Sequence, residues 1–518
     1  MGYNPRAMTL ITYKDTRGLC DRPRLFTEAI LEGIAPGGGL FVPDELPLVS
    51  IDDLLKLAGL PYFERAAWVY QAFGLDVDPA ETLRISASAY GDNFDDPHVA
   101  PVRKLTSDRF VLELWHGPTL AFKDMALQCM PLFFSQALGQ ARVRDPKTLD
   151  FLILVATSGD TGVAALNGYA DRPGTKIVVF YPDAGVSALQ ELQMVTQPGD
   201  NLSVFRLGGD FDDCQSSVKA VFDDGAFAEE LAAKHGLALS SANSINWGRL
   251  MPQIVYYVSA YADMAAFGHL RPGDPLDVCV PTGNFGNILA AYYAQRMGVP
   301  IGRLLCASNT NNVLSDFIDT GVYDISSRGL VKTPSPSMDI LISSNLERLL
   351  YDLCGDAEVI RGWMQDLKEK GRFEVDVATR AQLTSMLTGA WVDNDTCLRT
   401  IGEVHERHGY LMDPHTAVAW KVAEELGGEG APVLVVSTAH WSKFAADVVR
   451  GLRGIAAGEP IPGEEDDVAL LDRVVDLAPD AAVPAQLREV RARARRFDAR
   501  VERGREPVEA ALRDWLGA

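Results

Sequence analysis

FLILVATSGDTGVAALNGYA, residues Phe151 to Ala170, sets the fold. Phe151 to Thr157 is a short unbroken apolar run, the pattern of a strand buried on both faces. Ser158 to Gly162 is a polar loop with two glycines, and Val163 to Ala170 reads as a helix. PGTK then turns into a second apolar run, IVVFYP. The unit returns as LDVCVPTGNFGNILAAYYAQRMG from Leu276 and as PVLVVSTAHWSKFAADVVRGL from Pro432. Strands alternating with helices need crossover connections, which implies a parallel sheet flanked by helices, an α/β fold.

Outside these units the texture differs. Residues 1–100 form a mixed segment with a turn-rich block, APGGGLFVPDELP (Ala35 to Pro47), followed by helical patterns. Residues 101–457 hold the α/β units. From Gly458 to residue 518 the chain is charged and mainly helical, and VPAQLREVRARARRFDARVERG reads as a solvated helix with an exposed arginine face.

Bulk properties exclude several classes. A chain of 518 residues is too long for one ordinary core. A formal charge of −22 argues against nucleic-acid and membrane-surface partners, which select a basic face. The seven cysteines are scattered and never spaced Cys-x-x-Cys, so neither a disulfide framework nor a zinc ribbon is expected, in keeping with a reducing cytoplasm. MGYNPRAMTL lacks an apolar signal core and a myristoylation serine or threonine, and no apolar run is long enough to span a bilayer.

Three strands end in polar loops: TSGDTG (Thr157 to Gly162), PTGNFGN (Pro281 to Asn287) and STAH (Ser437 to His440). Ligands of open α/β sheets collect beyond the carboxyl ends of the strands, so these loops are expected on one rim of a sheet. PTGNFGN suits a phosphate, because Gly283 and Gly286 admit close backbone approach and the following helix offers unpaired N–H groups. Taken alone it reads first as a tight turn before a helix, without the spacing of a Walker loop or dinucleotide fingerprint. In WHGPTLAFKDMAL (Trp115 to Leu127), Lys123 falls in the first turn of an expected helix among apolar neighbours. Dipole and desolvation would both lower its pKa, making it a candidate for a Schiff base with an aldehyde cofactor. A lone lysine more often snorkels outward. The pairing of this lysine with a separate phosphate loop changes that balance, since pyridoxal 5'-phosphate needs both.

These segments, with EAILEGIAPGGGLFVP (Glu28 to Pro43), NSINWGR (Asn243 to Arg249), SPSMDI (Ser335 to Ile340), DPHTAVA (Asp413 to Ala419) and the longer STAHWSKF (Ser437 to Phe444), resemble the threonine synthase family in sequence and order. The last 60 residues match weakly. The resemblance implies a fold-type II pyridoxal-phosphate (PLP) enzyme with two open parallel-sheet α/β domains and an N-terminal mixed domain, converting O-phospho-L-homoserine and water to L-threonine and phosphate. It implies Lys123 as the cofactor lysine and proton shuttle. Gly283, Asn284, Phe285, Gly286 and Asn287 would cradle the cofactor phosphate, and Thr438 would meet the pyridine nitrogen. Thr157, Ser158, Asp160, Thr161, Asn243 and Arg249 would bind the substrate, the arginine by its planar fork. No metal, nucleic acid or membrane partner is implied, and monomer and homodimer stay open.

Some features depart from the pattern. Asp160 stands where related fold-type II enzymes often carry asparagine near the cofactor's 3'-oxygen, although threonine synthases commonly have aspartate there, and a backbone amide is an alternative partner. Trp441-Ser442 replaces the family's usual Pro-Ala. His116, His415 and His440 read as structural at least as readily as catalytic. Pro131 requires the Lys123 helix to kink or stop early. Two other functions fit the same residues: a phospho-lyase releasing a 2-oxo acid, and a non-catalytic metabolite-binding protein, the latter disfavoured by the intact set.

Overall fold

The computed structural model describes residues 10–183, 185–428, 430–463 and 469–517, so residues 1–9 of the stretch read for a signal lie outside it. Two parallel sheets carry the fold. The larger has six strands in the order Leu387–Trp391, Ile301–Ser308, Leu276–Pro281, Val433–Ser437, Arg109–Glu113 and Val102–Lys104. All neighbours are parallel except the edge strand Val102–Lys104, which pairs antiparallel with Arg109–Glu113. The smaller has five parallel strands in the order Arg500–Val501, Leu202–Leu207, Thr175–Pro182, Asp150–Ala156 and Leu237–Ser241. The expected α/β architecture is therefore present, in two interleaved sheets.

Strand alternation explains how both sheets bury both faces. In the smaller sheet Ile153, Val155, Ile177 and Val179 enter one apolar cluster, while Leu152, Leu154, Val178 and Phe180 enter the cluster on the opposite face. In the larger sheet Val278, Val280, Leu434 and Val436 pack against the N-terminal segment and the long helix Trp247–Ala266. Cys279, Val433 and Val435 face the helices Asn394–His408, Pro414–Leu426 and Ala445–Arg453. The N-terminal segment combines a small antiparallel pair, Tyr13–Asp15 with Phe41–Pro43, and four helices.

Two expectations are corrected. The three polar loops do not share one rim: PTGNFGN and STAH leave the six-stranded sheet, whereas TSGDTG follows Asp150–Ala156 in the five-stranded one. The C-terminal stretch is not one solvated helix. Its helix ends at Ala492, the chain extends, and Arg500–Val501 adds an edge strand beside Arg206 and Leu207. Val508 and Leu512 of the last helix, Arg505–Leu516, are buried with Phe205 and Leu207. Arginines of this stretch pair with the smaller-sheet unit, Arg500 with Asp183 at 2.8 Å and Arg513 with Glu230 at 2.9 Å. Exposed pairs contribute little individually, so strand pairing and apolar burial fix this segment.

Candidate active site

The Lys123 helix is short because its sequence makes it so. It runs from Lys123 to Leu127 and stops, and a second helix begins at Met130 with Pro131 in its first turn, as the proline requires. The turn before it is pinned by Asp124, whose carboxylate accepts from the Thr119 N–H at 2.8 Å and the Thr119 hydroxyl at 2.7 Å. Burial lifts Asp124 to about 6. Leu120 holds a left-handed φ of 63°, a conformation that a non-glycine residue keeps only where its surroundings fix it. The Leu120 carbonyl accepts from the His440 N–H at 3.0 Å, joining this turn to the STAH loop.

Lys123 is half-buried, and its Nζ lies 4.3 Å from the centre of the Phe122 ring. It has no hydrogen bond or ion pair among the described residues. Burial lowers its pKa from 10.5 to about 8; Asp160 and Asp413 oppose this, while Arg249 and Lys443 reinforce it. The depression expected from sequence is present, with desolvation and two cations as its causes. A five-residue helix supplies little dipole.

PTGNFGN forms an open cradle. Phe285 is left-handed, φ 66°, and caps the helix Gly286–Arg296. None of the N–H groups from Gly283 to Asn287 donates to a protein acceptor among the described residues. A Cβ on Gly283 would stand 2.8 Å from the Ser337 carbonyl, so glycine there lets the Ser335–Ile340 segment close over the loop. Asn287 is buried and accepts at Oδ1 from Tyr256 at 2.7 Å and Tyr257 at 2.5 Å, leaving Nδ2 without a partner. Thr438 is buried, and its hydroxyl has no hydrogen-bond partner among the described residues.

TSGDTG crosses from the other sheet. The Thr157 hydroxyl accepts from Gly159 N–H at 3.0 Å and Gly162 N–H at 2.8 Å, so it shapes the loop. Ser158 and Thr161 are half-buried at the start of the helix Asp160–Tyr169, with hydroxyls unpaired among the described residues. Asp160 is 3% exposed, and its partners are side chains, not the backbone amide considered above. Oδ1 meets Gln190 Nε2 and Lys443 Nζ, each at 2.8 Å, and Oδ2 meets the Ser337 hydroxyl at 3.4 Å. Burial alone would raise this carboxyl, but Lys443 and Lys123 hold it well below the usual range.

Arg249 sits in the first turn of the helix Trp247–Ala266, 2% exposed. One NH donates to the Ala242 carbonyl at 2.6 Å; Nε has no acceptor, and no carboxylate pairs with it among the described residues. Burial lowers it to about 10, so it remains a cation. Asn243 Oδ1 is likewise buried without a partner. An unpaired guanidinium in a dry site is a demand for an anion.

The three histidines have structural partners. His116 lies between Asp95 at 2.6 Å and Glu113 at 3.0 Å, which raise it to about 9 against the opposing effect of burial. His415 Nδ1 meets Asp413 at 2.5 Å, and its Nε2 accepts from the Ser337 N–H at 3.1 Å. That contact puts DPHTAVA and SPSMDI to use as scaffolding for the loop over the cradle. Burial pushes His440 down to about 3, and Ser442, one of the two departures from the usual motif, bonds its Nδ1 at 2.6 Å. Sequence reasoning missed Lys443, Gln190, Ser337 and Asn345 as site residues. Asn345 ties the cradle to NSINWGR, with its N–H on the Asn284 carbonyl and Nδ2 on the Ser244 carbonyl, each at 3.1 Å.

Comparison with known proteins finds matching families over most of the chain. The model for the threonine synthase N terminus matches residues 12–90, and that for pyridoxal-phosphate dependent enzymes matches residues 101–439. Threonine synthase-like 1 of Homo sapiens is 43% identical over 439 residues, 83% of this chain, and the chain covers only 58% of that protein. Threonine synthase of Pseudomonas aeruginosa is 37% identical over 460 residues, 88% of this chain and 93% of that protein. The PLP-bound threonine synthase structure from Brucella melitensis has a TM-score of 0.84 at 36% identity, covering 98% of this chain and 100% of that one. The fold is that of the pyridoxal-phosphate dependent enzymes, whose model spans more than half of the chain. The unpaired amine, the row of free N–H groups, the orphaned Asn287 amide and the free Thr438 hydroxyl fit that cofactor. Within this class, the chain belongs to the threonine synthase family.

Proposed function

We propose that the protein converts O-phospho-L-homoserine and water to L-threonine and phosphate. The observation that carries this reading is Arg249, a buried cation with no carboxylate partner among the described residues, whose charge helps to lower the Lys123 pKa. A substrate that brings its own phosphate supplies the missing anion. Ser158 and Thr161 add hydroxyl donors from the opposite sheet, and Asn243 adds an amide. Thr157 shapes their loop through its hydroxyl's two backbone contacts.

Bound PLP would supply an electron sink for negative charge developing on substrate carbon. Gly283, Asn284, Phe285, Gly286 and Asn287 would hold its phosphate, and Thr438 its ring nitrogen. A hydroxyl at that nitrogen does not force a ring proton, which suits elimination and replacement. Lys123, with a pKa near neutrality, takes and returns protons at Cα, Cβ and Cγ of the substrate. Arg249 stabilises phosphate as it departs. Asp160 keeps acceptor character near the reacting centre because it stays ionised.

The test is incubation of the purified, PLP-loaded protein with O-phospho-L-homoserine and identification of both products. Threonine and phosphate in equal amounts support the reading. A 2-oxo acid with phosphate would make it a phospho-lyase, and no turnover would favour a binding role.

A further inference from the structure

We propose that Lys443 is a positioning residue that engages Asp160 so that the Lys123 amine stays free. Two ammonium groups lie near a single buried carboxylate here, and only one of them touches it. Lys443 is 1% exposed, on the turn Trp441–Phe444. Its Nζ stands 2.8 Å from Asp160 Oδ1 and donates to the Thr119 carbonyl at 2.8 Å. Thr119 belongs to the turn that leads into Lys123. The ammonium therefore spans from the turn carrying the reactive lysine to the loop of the opposite sheet.

The other charged groups leave this choice to Lys443. Asp413 is occupied by the His415 ring and N–H and by the Thr416 N–H and hydroxyl. Asp124 is occupied by Thr119. Arg249 carries no counter-charge that could transfer. Asp160 is thus the carboxylate poised to capture Lys123, and a carboxylate in a dry site draws the nearest ammonium. Gln190 shares Oδ1 at 2.8 Å but, being neutral, cannot balance the charge. The electrostatics point the same way, since Asp160 favours the charged form of Lys123 and Lys443 disfavours it.

This inference rests on the reading of Lys123 as the cofactor lysine. Visible absorption of bound PLP depends on protonation of the nitrogen through which a lysine holds it, so a pH titration of the full-length holoenzyme reports the charge at that position. Removing Lys443 leaves Asp160 uncompensated and stabilises positive charge on the Lys123 nitrogen. Lys443→Met is expected to raise the spectral midpoint by about one pH unit or more. Lys443→Arg should hold it within about 0.3 unit, because the charge is kept. Combining Lys443→Met with Asp160→Asn should return the midpoint to near the wild-type value. An unmoved midpoint in Lys443→Met, or an upward shift that survives in the double variant, overturns the proposal. Should Lys443→Met fail to fold, Asp160→Asn alone carries the test: a downward shift is expected, and none overturns it. Borohydride label on a lysine other than Lys123 in the wild type overturns the underlying reading and this proposal together.

Discussion

The Phe122 N–H donates to the Thr438 carbonyl at 2.8 Å, so the residue before Lys123 hangs from the end of the strand Val433–Ser437. Ala121 and Ala439 form a bridge beside it. The amine and the Thr438 hydroxyl are thereby carried by one hydrogen-bonded pair of segments, and a backbone link of this kind is hard to misalign. Thr438→Ala, which keeps the backbone, should preserve cofactor binding at Lys123 while altering the visible spectrum. Borohydride reduction and peptide mapping should find the pyridoxyl group on Lys123 in both proteins. Label on another lysine contradicts the assignment.

Arg249→Ala should leave folding and PLP attachment at Lys123 intact, raise the midpoint of the spectral titration because a cation near Lys123 is lost, and impair turnover of phosphohomoserine selectively. Loss of a charge-assisted contact in a dry site should cost about 3 kcal/mol of transition-state stabilisation, roughly a hundredfold in kcat/KM. Arg249→Lys should recover part of it. The control is binding of a small amino acid without phosphate; equal losses for both ligands would remove Arg249 from the phosphate site.

Two glycines of the cradle should respond differently. At Gly283 a methyl group meets the Ser337 backbone at 2.8 Å, so Gly283→Ala should displace the closing segment and weaken PLP retention about tenfold. At Gly286 the nearest atoms are side-chain nitrogens of Asn345 and Gln253, at 3.5 and 3.7 Å, so the protein itself accommodates alanine. Any weakening by bulkier residues there reports on the cofactor's approach. Equilibrium dialysis of PLP against both variants checks this, and equal tolerance at the two sites would refute it.

His116 makes stability depend on alkaline pH. Its folded pKa of about 9 lies above the ordinary 6.5, so its contribution is fully present below pH 6.5 and is lost as pH rises through about 9. With the half-exposed Asp95 partner screened by water, the loss should be about 2 kcal/mol. Urea unfolding of wild type and His116→Gln between pH 6 and 10 should show the stability gap closing upward. A gap independent of pH would place the imidazolium outside this network.

Much of the site was legible because motifs record local chemistry. The apolar runs ending in TSGDTG, PTGNFGN and STAH fixed strands and loops, and Pro131 fixed where the Lys123 helix stops. Sheet membership was not legible, because LILVA and VLVVS have the same texture and only long-range pairing separates them. Lys443 lies in the STAHWSKF motif but drew no role from sequence, because its burial against Asp160 depends on the turn Trp441–Phe444 and on a loop of the other sheet. The C-terminal arginines misled for a related reason. Helical propensity is high there, but a two-residue pairing with the small sheet overrides it.

The edge strand Arg500–Val501 also bears on how the protein is made. The other four strands of its sheet lie between Asp150 and Ser241, about 260 residues earlier in the chain. At roughly 5–20 residues per second, a ribosome leaves Leu202–Leu207 without its neighbour for some tens of seconds. Throughout that interval the apolar stretch LSVFRL offers unpaired N–H and C=O groups to any nascent chain nearby. The late strand thus closes a window of vulnerability during synthesis, and shortening the chain before residue 500 would keep it open, turning a catalytically remote truncation into an aggregation defect.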